Sequence, residues 1–318
     1  MEFFAAVIIC TYDRAARLRQ ALQSLAEMRV LAKLAWEVIV VDNNSNDNTR
    51  EVVEEFARKS RLCVRYVFEP KQGLSHARNA GVAHAKSEII AFTDDDVLVS
   101  PEWLSEIVRT FEECDCIAVA GKIIPAWGDS AKPNWLLITG PYRLGAGLIL
   151  GFDLGNERQS ISYLLGANMA FRKSAFERFG IFRTDLGMCG SALILGEDSE
   201  FGNRLTRAGE TIAYSPTACV FHPVKRERLT KPFILSWYYQ AGRSSALVDG
   251  ISNECTCYLG VPRHLLRRLF ITVLKWCLSL HTGRRFYYKA GVYQECGRIL
   301  ELHRRSRSTK TQLQCVGR

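Results

Sequence analysis

Short apolar runs alternate with amphipathic segments along this 318-residue chain, and this alternation constrains the fold more than any other feature. Continuous apolar runs predict strands buried on both faces, and apolar spacings of three and four predict helices. Their alternation predicts an α/β fold with a mostly parallel sheet flanked by helices. The predicted strands are 5–10, 36–41, 62–68, 88–93, 116–120, 163–171, 211–215 and 218–221, and the predicted helices are 13–28, 49–59, 75–85, 101–111, 174–180 and 197–208.

Polar clusters follow each of the first four predicted strands. Thr11 and Asp13 follow the first strand, Asp42 follows the second, and the loop after the third leads into a helix that carries Arg78. Three aspartates follow the fourth strand. Ligands of parallel sheets bind beyond the carboxyl ends of the strands, so these clusters predict one site at one edge of the sheet.

Asp94-Asp95-Asp96 is the most informative cluster, because three adjacent carboxylates repel one another unless a cation takes up their charge. In extended backbone Asp94 and Asp96 point the same way, which suits Mg²⁺ or Mn²⁺. His222, at the end of a later apolar run, is a candidate third ligand. The alternatives are a solvated acidic turn before the next helix and a histidine with a structural role.

Two further groups have both a chemical and a structural interpretation. Glu197 and Asp198 begin a helix after a glycine-containing loop, where one of them would serve as a general base or Asp198 would cap the helix. Asp42 would accept a hydrogen bond from a ribose hydroxyl or close an Asx-turn, for which Asn43 and Asn44 are suited.

Six motifs in order resemble the family-two inverting glycosyltransferases with a GT-A fold, a Rossmann-like fold that binds nucleotide-diphospho-sugars. The resemblance covers about residues 4–225. The motifs are Thr11-Tyr12-Asp13-Arg14, Val40-Val41-Asp42-Asn43-Asn44-Ser45, Gly73-Leu74-Ser75-His76-Ala77-Arg78-Asn79-Ala80-Gly81, Phe92-Thr93-Asp94-Asp95-Asp96, Gly166-Ala167-Asn168-Met169-Ala170-Phe171-Arg172 and Gly196-Glu197-Asp198-Ser199-Glu200-Phe201.

This resemblance implies that a sugar moves from a UDP-, GDP- or dTDP-sugar to a hydroxyl of a glycan or lipid-linked acceptor, with inversion. It implies Asp198 as the catalytic base and Asp96 as a ligand of Mn²⁺ or Mg²⁺, joined by Asp94 and His222. Polysaccharide, lipopolysaccharide or another cell-envelope glycan is the expected product. The implied substrate-binding residues are Thr11, Asp13, Asp42, Asn44, Arg78, Asp94, Asp95, Asn168 and Glu197.

One departure from the family concerns polymer synthesis. Processive members carry Gln-x-x-Arg-Trp beside membrane spans, whereas here Gln240-Ala241-Gly242-Arg243 is followed by Ser244. No uninterrupted apolar window reaches the length of a span. Single sugar transfer is therefore expected. The N-terminus lacks the basic region and cleavage site of a signal peptide, which predicts a cytoplasmic protein.

The basic charge is concentrated in the C-terminal third. Residues 222–318 carry 18 Lys or Arg against 5 Asp or Glu, a net charge of +13, whereas the rest of the chain has a net charge of −4. We expect a division into a catalytic domain, 1–225, and a basic helical region, 226–318. Leu266, Phe270, Val273 and Cys277 predict an amphipathic helix that binds the anionic inner face of the cell membrane. Packing on the catalytic domain is the alternative.

Other functions fit the sequence less well. No nucleic-acid reader motif accompanies the basic tail, so no nucleic-acid partner is expected. A nucleotidyltransferase would require a glycine-rich, lysine-bearing phosphate loop, but 10–22 contains neither residue type. A catalytically inactive nucleotide-sugar-binding scaffold of an envelope assembly complex is the alternative that stays open. The 11 scattered cysteines predict buried free thiols rather than a disulfide framework.

Overall fold

A computed structural model describes residues 4–144, 151–189, 194–249 and 256–316. The chain forms two compact units. The N-terminal unit comprises Met1–Gly128, Ile149–Ser191 and Glu197–Val224. The C-terminal unit comprises Asp129–Leu148, Ala192–Gly196 and Lys225–Arg318. The domain division at residue 225 stays a prediction.

The N-terminal unit is built on one sheet, in which the described strands have the order β3-β2-β1-β4-β8-β6-β9-β5, with β7 paired to β9. The pairs from β3 to β4 are parallel, as the sequence predicts. β8 then runs antiparallel between β4 and β6, and β6 is parallel to β9. The strands are β1 (Ala5–Thr11), β2 (Trp36–Asp42), β3 (Val64–Phe68), β4 (Ile89–Asp94), β5 (Leu98–Val99), β6 (Ala118–Ala126), β7 (Gln159–Ile161), β8 (Asn168–Arg172) and β9 (Ile212–Pro223).

Helices connect these strands. They are α1 (Ala15–Ala26), α2 (Thr49–Lys59), α3 (Leu74–His84), α4 (Trp103–Glu113), α5 (Lys173–Phe179) and α6 (Glu197–Arg207). The predicted strand at 163–171 is confined to its last residues, and the two strands predicted between 211 and 221 are one strand, β9. The register between β6 and β9 shifts within this strand: Gly121 pairs with Ser215 and Ile123 with Val220, so the extra residues lie in β9.

The apolar core contains strands that are buried on both faces, including β1 and most of β2. A cluster of phenylalanine rings joins β4 and β8 to α5 and α6. Phe201 of α6 lies 5.2 Å from the Phe171 ring and stacks on Phe176 at 5.1 Å. Burial of each ring contributes roughly 1.5–3 kcal/mol. The cluster therefore fixes the helix whose first turn carries Glu197 and Asp198.

The C-terminal unit is mainly helical. It contains α7 (Lys231–Asp249), α8 (Arg263–Leu278) and α9 (Thr282–Val316), with the hairpin strands β10 (Cys257–Tyr258) and β11 (Val261–Pro262). A small core around Ala246, Leu265 and Leu302 joins its helices. Within the described ranges, every helix is too short or too polar to cross a bilayer.

Candidate active site

Strand ends from distant parts of the sequence meet at one edge of the sheet. Cys10 is the register partner of Asp94, and Thr11 is the partner of Asp42, so β1, β2 and β4 end level. β8 is antiparallel to β4 and begins at this edge, with Asn168 opposite Thr93. β9 runs in the same direction as β4 and ends here. The edge predicted from the first four strands therefore also receives His222.

The three aspartates separate into the two groups that the sequence predicts, although β4 ends at Asp94 and a turn follows at Asp95 and Asp96. The Asp95 carboxylate turns towards β1, where it accepts hydrogen bonds from the Thr11 hydroxyl (2.8 Å) and from Arg14 Nη1 (3.0 Å). Asp94 and Asp96 face His222, and the candidate ligand atoms of these three residues all lie within 4.8 Å of one another. The Asp95 side chain is thus occupied by contacts within the protein.

The donor set suits a small divalent cation. Two carboxylates and one imidazole are ligands that Mn²⁺ accepts, and they leave positions for phosphate oxygens. Asp96 and His222 are buried, with 3.6 Å between Asp96 Oδ1 and His222 Nε2. Burial raises the pKa of Asp94, Arg78 opposes this effect, and neighbouring Asp96 adds to it. A cation here would relieve the repulsion between the carboxylates, so the residues fit a metal.

Arg14 at the N-cap of α1 and Arg17 in its first turn extend this cluster, and only Arg14 belongs to one of the six motifs. Arg14 Nη1 lies 3.9 Å and Arg17 Nη1 3.5 Å from Asp96 Oδ2. Side chains three residues apart lie on the same face of a helix, so the spacing of Arg14 and Arg17 is the signal in the sequence that places them together. Burial raises the pKa of Asp95 to about 6, against the effect of the neighbouring Arg14. Positive charge therefore lies beside the carboxylates at the same edge.

The loops after β1 and β2 are joined by hydrogen bonds between backbone amides and side chains. Asp13 and Asn44 have left-handed backbone, with φ of 50° and 67°, which asparagine and aspartate tolerate. The Asp13 amide donates to the Ser45 hydroxyl (3.0 Å). Asp42 accepts hydrogen bonds from the Ser45 amide (2.9 Å) and from the hydroxyl of Tyr66 (2.7 Å), a β3 residue that lies outside the six motifs. The Asp13 and Asn44 side chains are exposed at this edge.

Arg78 lies on α3, where the sequence places it, but its main partner is protein. Its guanidinium donates a hydrogen bond to the Glu197 carboxylate, and both side chains are buried. A Cβ on Gly166 would lie 2.1 Å from Arg78 Nη2, so only glycine leaves room for this arginine. The Gly166 amide in turn donates to Asp198 (2.7 Å). Arg78 and Gly166 therefore fix the start of α6.

Asp198 is half-buried at the start of α6, and one of its oxygens accepts from the Ser199 amide (2.6 Å). Burial is the largest effect on the pKa of Asp94 and raises it, Arg78 and Arg14 lower it, and the charges of Asp96 and, more weakly, Asp198 raise it. The candidate base and the candidate metal ligands therefore share one electrostatic environment. The helix-capping and general-base interpretations of this residue are compatible in this geometry.

Asn168 has a different environment from the one expected of a substrate ligand. The residue is 1% exposed, and its amide donates to the carbonyls of Lys122 (2.9 Å) and Ala218 (2.8 Å) and accepts from Trp103 Nε1 (2.8 Å). Gly121 makes room for this amide, since a Cβ there would lie 2.2 Å from Asn168 Nδ2. The side chain joins β6, β8, β9 and α4 and holds the sheet together.

Comparison with known proteins agrees with this architecture. The model of the family described as Glycosyl transferase family 2 matches residues 6–180. The chain is 30% identical over 237 residues to the succinoglycan biosynthesis protein ExoM of Rhizobium meliloti, covering 74% of this chain and 72% of the relative. It is 25% identical to a glucosyl-dolichyl phosphate glucuronosyltransferase of Haloferax volcanii, covering 76% of each chain.

A solved structure has the same fold. The mannosyltransferase PcManGT of Pyrobaculum calidifontis, determined with GDP-Man and Mn²⁺, superposes with a TM-score of 0.56 at 18% identity. The superposition covers 100% of this chain and 80% of that structure. The sheet with its level strand ends, the acidic cluster at the edge and the family match lead to one conclusion: the chain is a glycosyltransferase of family 2 with a GT-A fold.

Proposed function

We propose that this protein transfers one sugar from a nucleotide-diphosphate sugar to an acceptor hydroxyl, with inversion at the anomeric carbon and with a divalent cation. The observation that supports the proposal is the donor set of Asp94, Asp96 and His222, whose candidate ligand atoms lie within 4.8 Å of one another. Asp198 lies at the same edge of the sheet. A binding scaffold would need the nucleotide contacts but not a carboxylate beside the reacting sugar.

Asp94, Asp96 and His222 would hold the cation, Mn²⁺ or Mg²⁺. When bound, it neutralises the charge that develops on the leaving diphosphate. Arg14 and Arg17, beside Asp96, supply further positive charge to that diphosphate. Asp95 has a positioning role, because its contacts with Thr11 and Arg14 hold that arginine against the site.

Asp198 is the proposed base that takes the proton of the acceptor hydroxyl. The acceptor oxygen forms a bond to the anomeric carbon as the bond from that carbon to the diphosphate oxygen breaks. A single displacement of this kind inverts the configuration. The backbone amides of Gly166 and Ser199 orient the Asp198 carboxylate. Glu197, bound to Arg78, holds the first turn of α6 in place.

The nucleoside would lie beside the loops that follow β1 and β2. Thr11, Asp13, Asp42 and Asn44 are the residues that we expect near its base and ribose, and the exposed Asp13 and Asn44 are available to a ligand. Tyr66, which donates to Asp42, would fix the orientation of that carboxylate. UDP-, GDP- and dTDP-sugars are the candidate donors.

The acceptor is proposed from chemistry and from relatives. Family-two relatives of this chain include a succinoglycan biosynthesis protein and an enzyme named for glucosyl-dolichyl phosphate. These similarities support an acceptor that is a growing envelope glycan or a lipid-linked sugar. We place the reaction at the cytoplasmic face of the cell membrane, where the protein would be peripheral.

The test is turnover of UDP-, GDP- and dTDP-sugars with Mn²⁺ by the purified protein, with and without EDTA. We expect one nucleotide to be released, and release to fall by at least about a hundredfold in Asp96→Asn and Asp198→Asn. Asp115→Asn is the matched control, because this exposed aspartate precedes β6 at the opposite edge of the sheet. Full activity in Asp198→Asn, or retention of configuration in the product, would overturn the mechanism.

A further inference from the structure

Helix α8 of the C-terminal unit exposes most of its apolar side chains. Within its 16 residues only Leu265 is buried. Six of the 18 exposed large apolar side chains in the described ranges lie between residues 266 and 280. Exposure reaches 63% for Phe270, 77% for Leu278 and 99% for Leu280 in the following turn. The six residues are Leu266, Phe270, Ile271, Leu274, Leu278 and Leu280.

These side chains form a continuous row. Leu266, Phe270, Leu274 and Leu278 recur at intervals of four residues and therefore lie along one side of the helix. The sequence predicts Val273 and Cys277 on this face instead. Val273 is half-buried, because the packed side of α8 is centred nearer Leu265, whereas Cys277 is exposed at the margin of the row. We call Leu266–Leu280 with its exposed apolar side chains the α8 face.

The charges around the α8 face are of one sign. Arg263 and Arg267 are exposed at the amino-terminal end of the same side, and residues 263–278 contain no acidic residue. Arg268 is turned towards α9, where it pairs with Glu295 (2.6 Å). Lys275 Nζ lies 5.9 Å from the centroid of the Tyr288 ring. The helix therefore has a cationic beginning and an apolar end that continues into the turn.

We propose that the α8 face binds the surface of an anionic phospholipid bilayer. A helix with a row of leucine and phenylalanine beside arginine and lysine lies in the interface plane, with its apolar residues among the acyl chains and its cations at the phosphates. Arg263 and Arg267 reach the headgroups, while Phe270, Leu274 and Leu278 enter the interface. Leu280, at the end of the helix, extends this apolar surface.

A second copy of the chain suits the α8 face less well than a bilayer. In a two-fold dimer the same patch meets itself, so the interface would enclose Arg263 and Arg267 of both copies. No acidic residue of α8 is present to offset their repulsion. Anionic phospholipids supply the complementary charge directly. The charge pattern thus favours the membrane as the occupant.

Sedimentation with lipid vesicles tests the proposal on the full chain, without donor or acceptor, so its outcome is independent of the proposed transferase activity. We expect binding to vesicles of equal parts phosphatidylcholine and phosphatidylglycerol, and at least about tenfold weaker binding to phosphatidylcholine alone. Binding should weaken as salt is raised. Absence of binding to the anionic vesicles would overturn the proposal.

A pair of double variants locates the contact. Phe270→Ser with Leu274→Ser should weaken vesicle binding about tenfold or more, because both side chains lose apolar area that the bilayer covers. Tyr258→Ser with Leu300→Ser is the matched control, since these side chains are exposed to a similar degree, 55% and 53%, outside the α8 face. Circular dichroism checks that both variants fold. Equal binding by the two variants would contradict the assignment.

A native thiol gives a second readout without substitution. Cys277 lies in the α8 face and is exposed, whereas Cys63 is exposed in the N-terminal unit. Anionic vesicles should slow labelling of Cys277 by a charged maleimide several-fold and leave Cys63 unchanged. Equal labelling of Cys277 with and without vesicles would exclude insertion. Light scattering measures the oligomeric state. If the protein is a dimer and the Phe270 and Leu274 substitutions convert it to a monomer, the α8 face would instead be assigned to contact with a second copy.

Discussion

The Arg78 guanidinium of α3 is hydrogen-bonded to the Glu197 carboxylate of α6, and both side chains are buried in the N-terminal unit. Burial raises the pKa of Glu197, and the neighbouring guanidinium opposes this effect. The pair thus links α3 to the first turn of α6, in which Asp198 follows Glu197. A charged pair in the interior orients the proposed base, although the charges themselves are costly to bury.

Replacement of one partner by an apolar residue should therefore lower the free energy of unfolding much more than replacement of both. We expect Arg78→Met to lower the free energy of unfolding by about 3–5 kcal/mol, because an unpaired carboxylate is left in the interior. Arg78→Met with Glu197→Leu should restore part of the loss. Urea denaturation measures both. Arg29→Ala, which breaks an exposed pair with Glu102, is the control and should cost less than about 1 kcal/mol. Additive losses from the two buried substitutions would contradict this account.

Asn168 should behave as a residue of the sheet rather than of the substrate site. In Asn168→Ala the indole of Trp103 and two backbone carbonyls lose their partner, at about 1–3 kcal/mol for each buried group. We expect the free energy of unfolding to fall by about 3 kcal/mol or more in urea denaturation. Asn46→Ala, in an exposed loop, should change it by less than about 0.5 kcal/mol. Unchanged stability with a raised KM for the donor would instead assign Asn168 to substrate binding.

The parallel half of the fold was predictable because local signals specify it. The apolar runs at 5–10 and 36–41 give buried strands, and the segments between such runs give helices with bounds close to those predicted. The position of β8 was not predictable in this way. Its antiparallel insertion between β4 and β6 depends on long-range packing, including the hydrogen bonds of Asn168, and no short-range pattern encodes them.

The site was predictable to the extent that strand ends define it. The grouping of Asp94 with Asp96, apart from Asp95, was predicted from alternation, although Asp95 and Asp96 form a turn after β4. The apolar run before His222 places that residue at a strand end. The partner of Arg78 was not predictable, because Glu197 is 119 residues away and the contact requires a glycine at position 166. Burial of the cysteines was expected, yet four of the described thiols, those of Cys63, Cys189, Cys257 and Cys277, are exposed.

His222 should control the affinity for the cation. His222→Gln removes one of three proposed protein ligands, and we expect Mn²⁺ to bind about tenfold to a hundredfold more weakly in the presence of a nucleoside diphosphate. Electron paramagnetic resonance of free Mn²⁺ measures this affinity without turnover. His84→Gln, an exposed position on α3, is the control. EDTA should abolish sugar transfer and added Mn²⁺ restore it. An unchanged Mn²⁺ affinity in His222→Gln would remove His222 from the ligand set.

The cysteines should divide into two reactivity classes. Burial raises the pKa of the Cys10 and Cys116 thiols from 9.0 to about 12. Because the thiolate is the reactive form, alkylation at pH 8 should be about a thousandfold slower at these two positions than at an exposed thiol such as Cys63. Mass spectrometry of peptides after timed iodoacetamide labelling measures the rates. In the unfolded chain these thiols ionise near pH 9, but in the folded chain they stay protonated up to about pH 12. The free energy of unfolding therefore falls as the pH rises from about 9 towards about 12. Equal labelling of Cys10 and Cys63 in the folded protein would contradict the raised pKa of the Cys10 thiol.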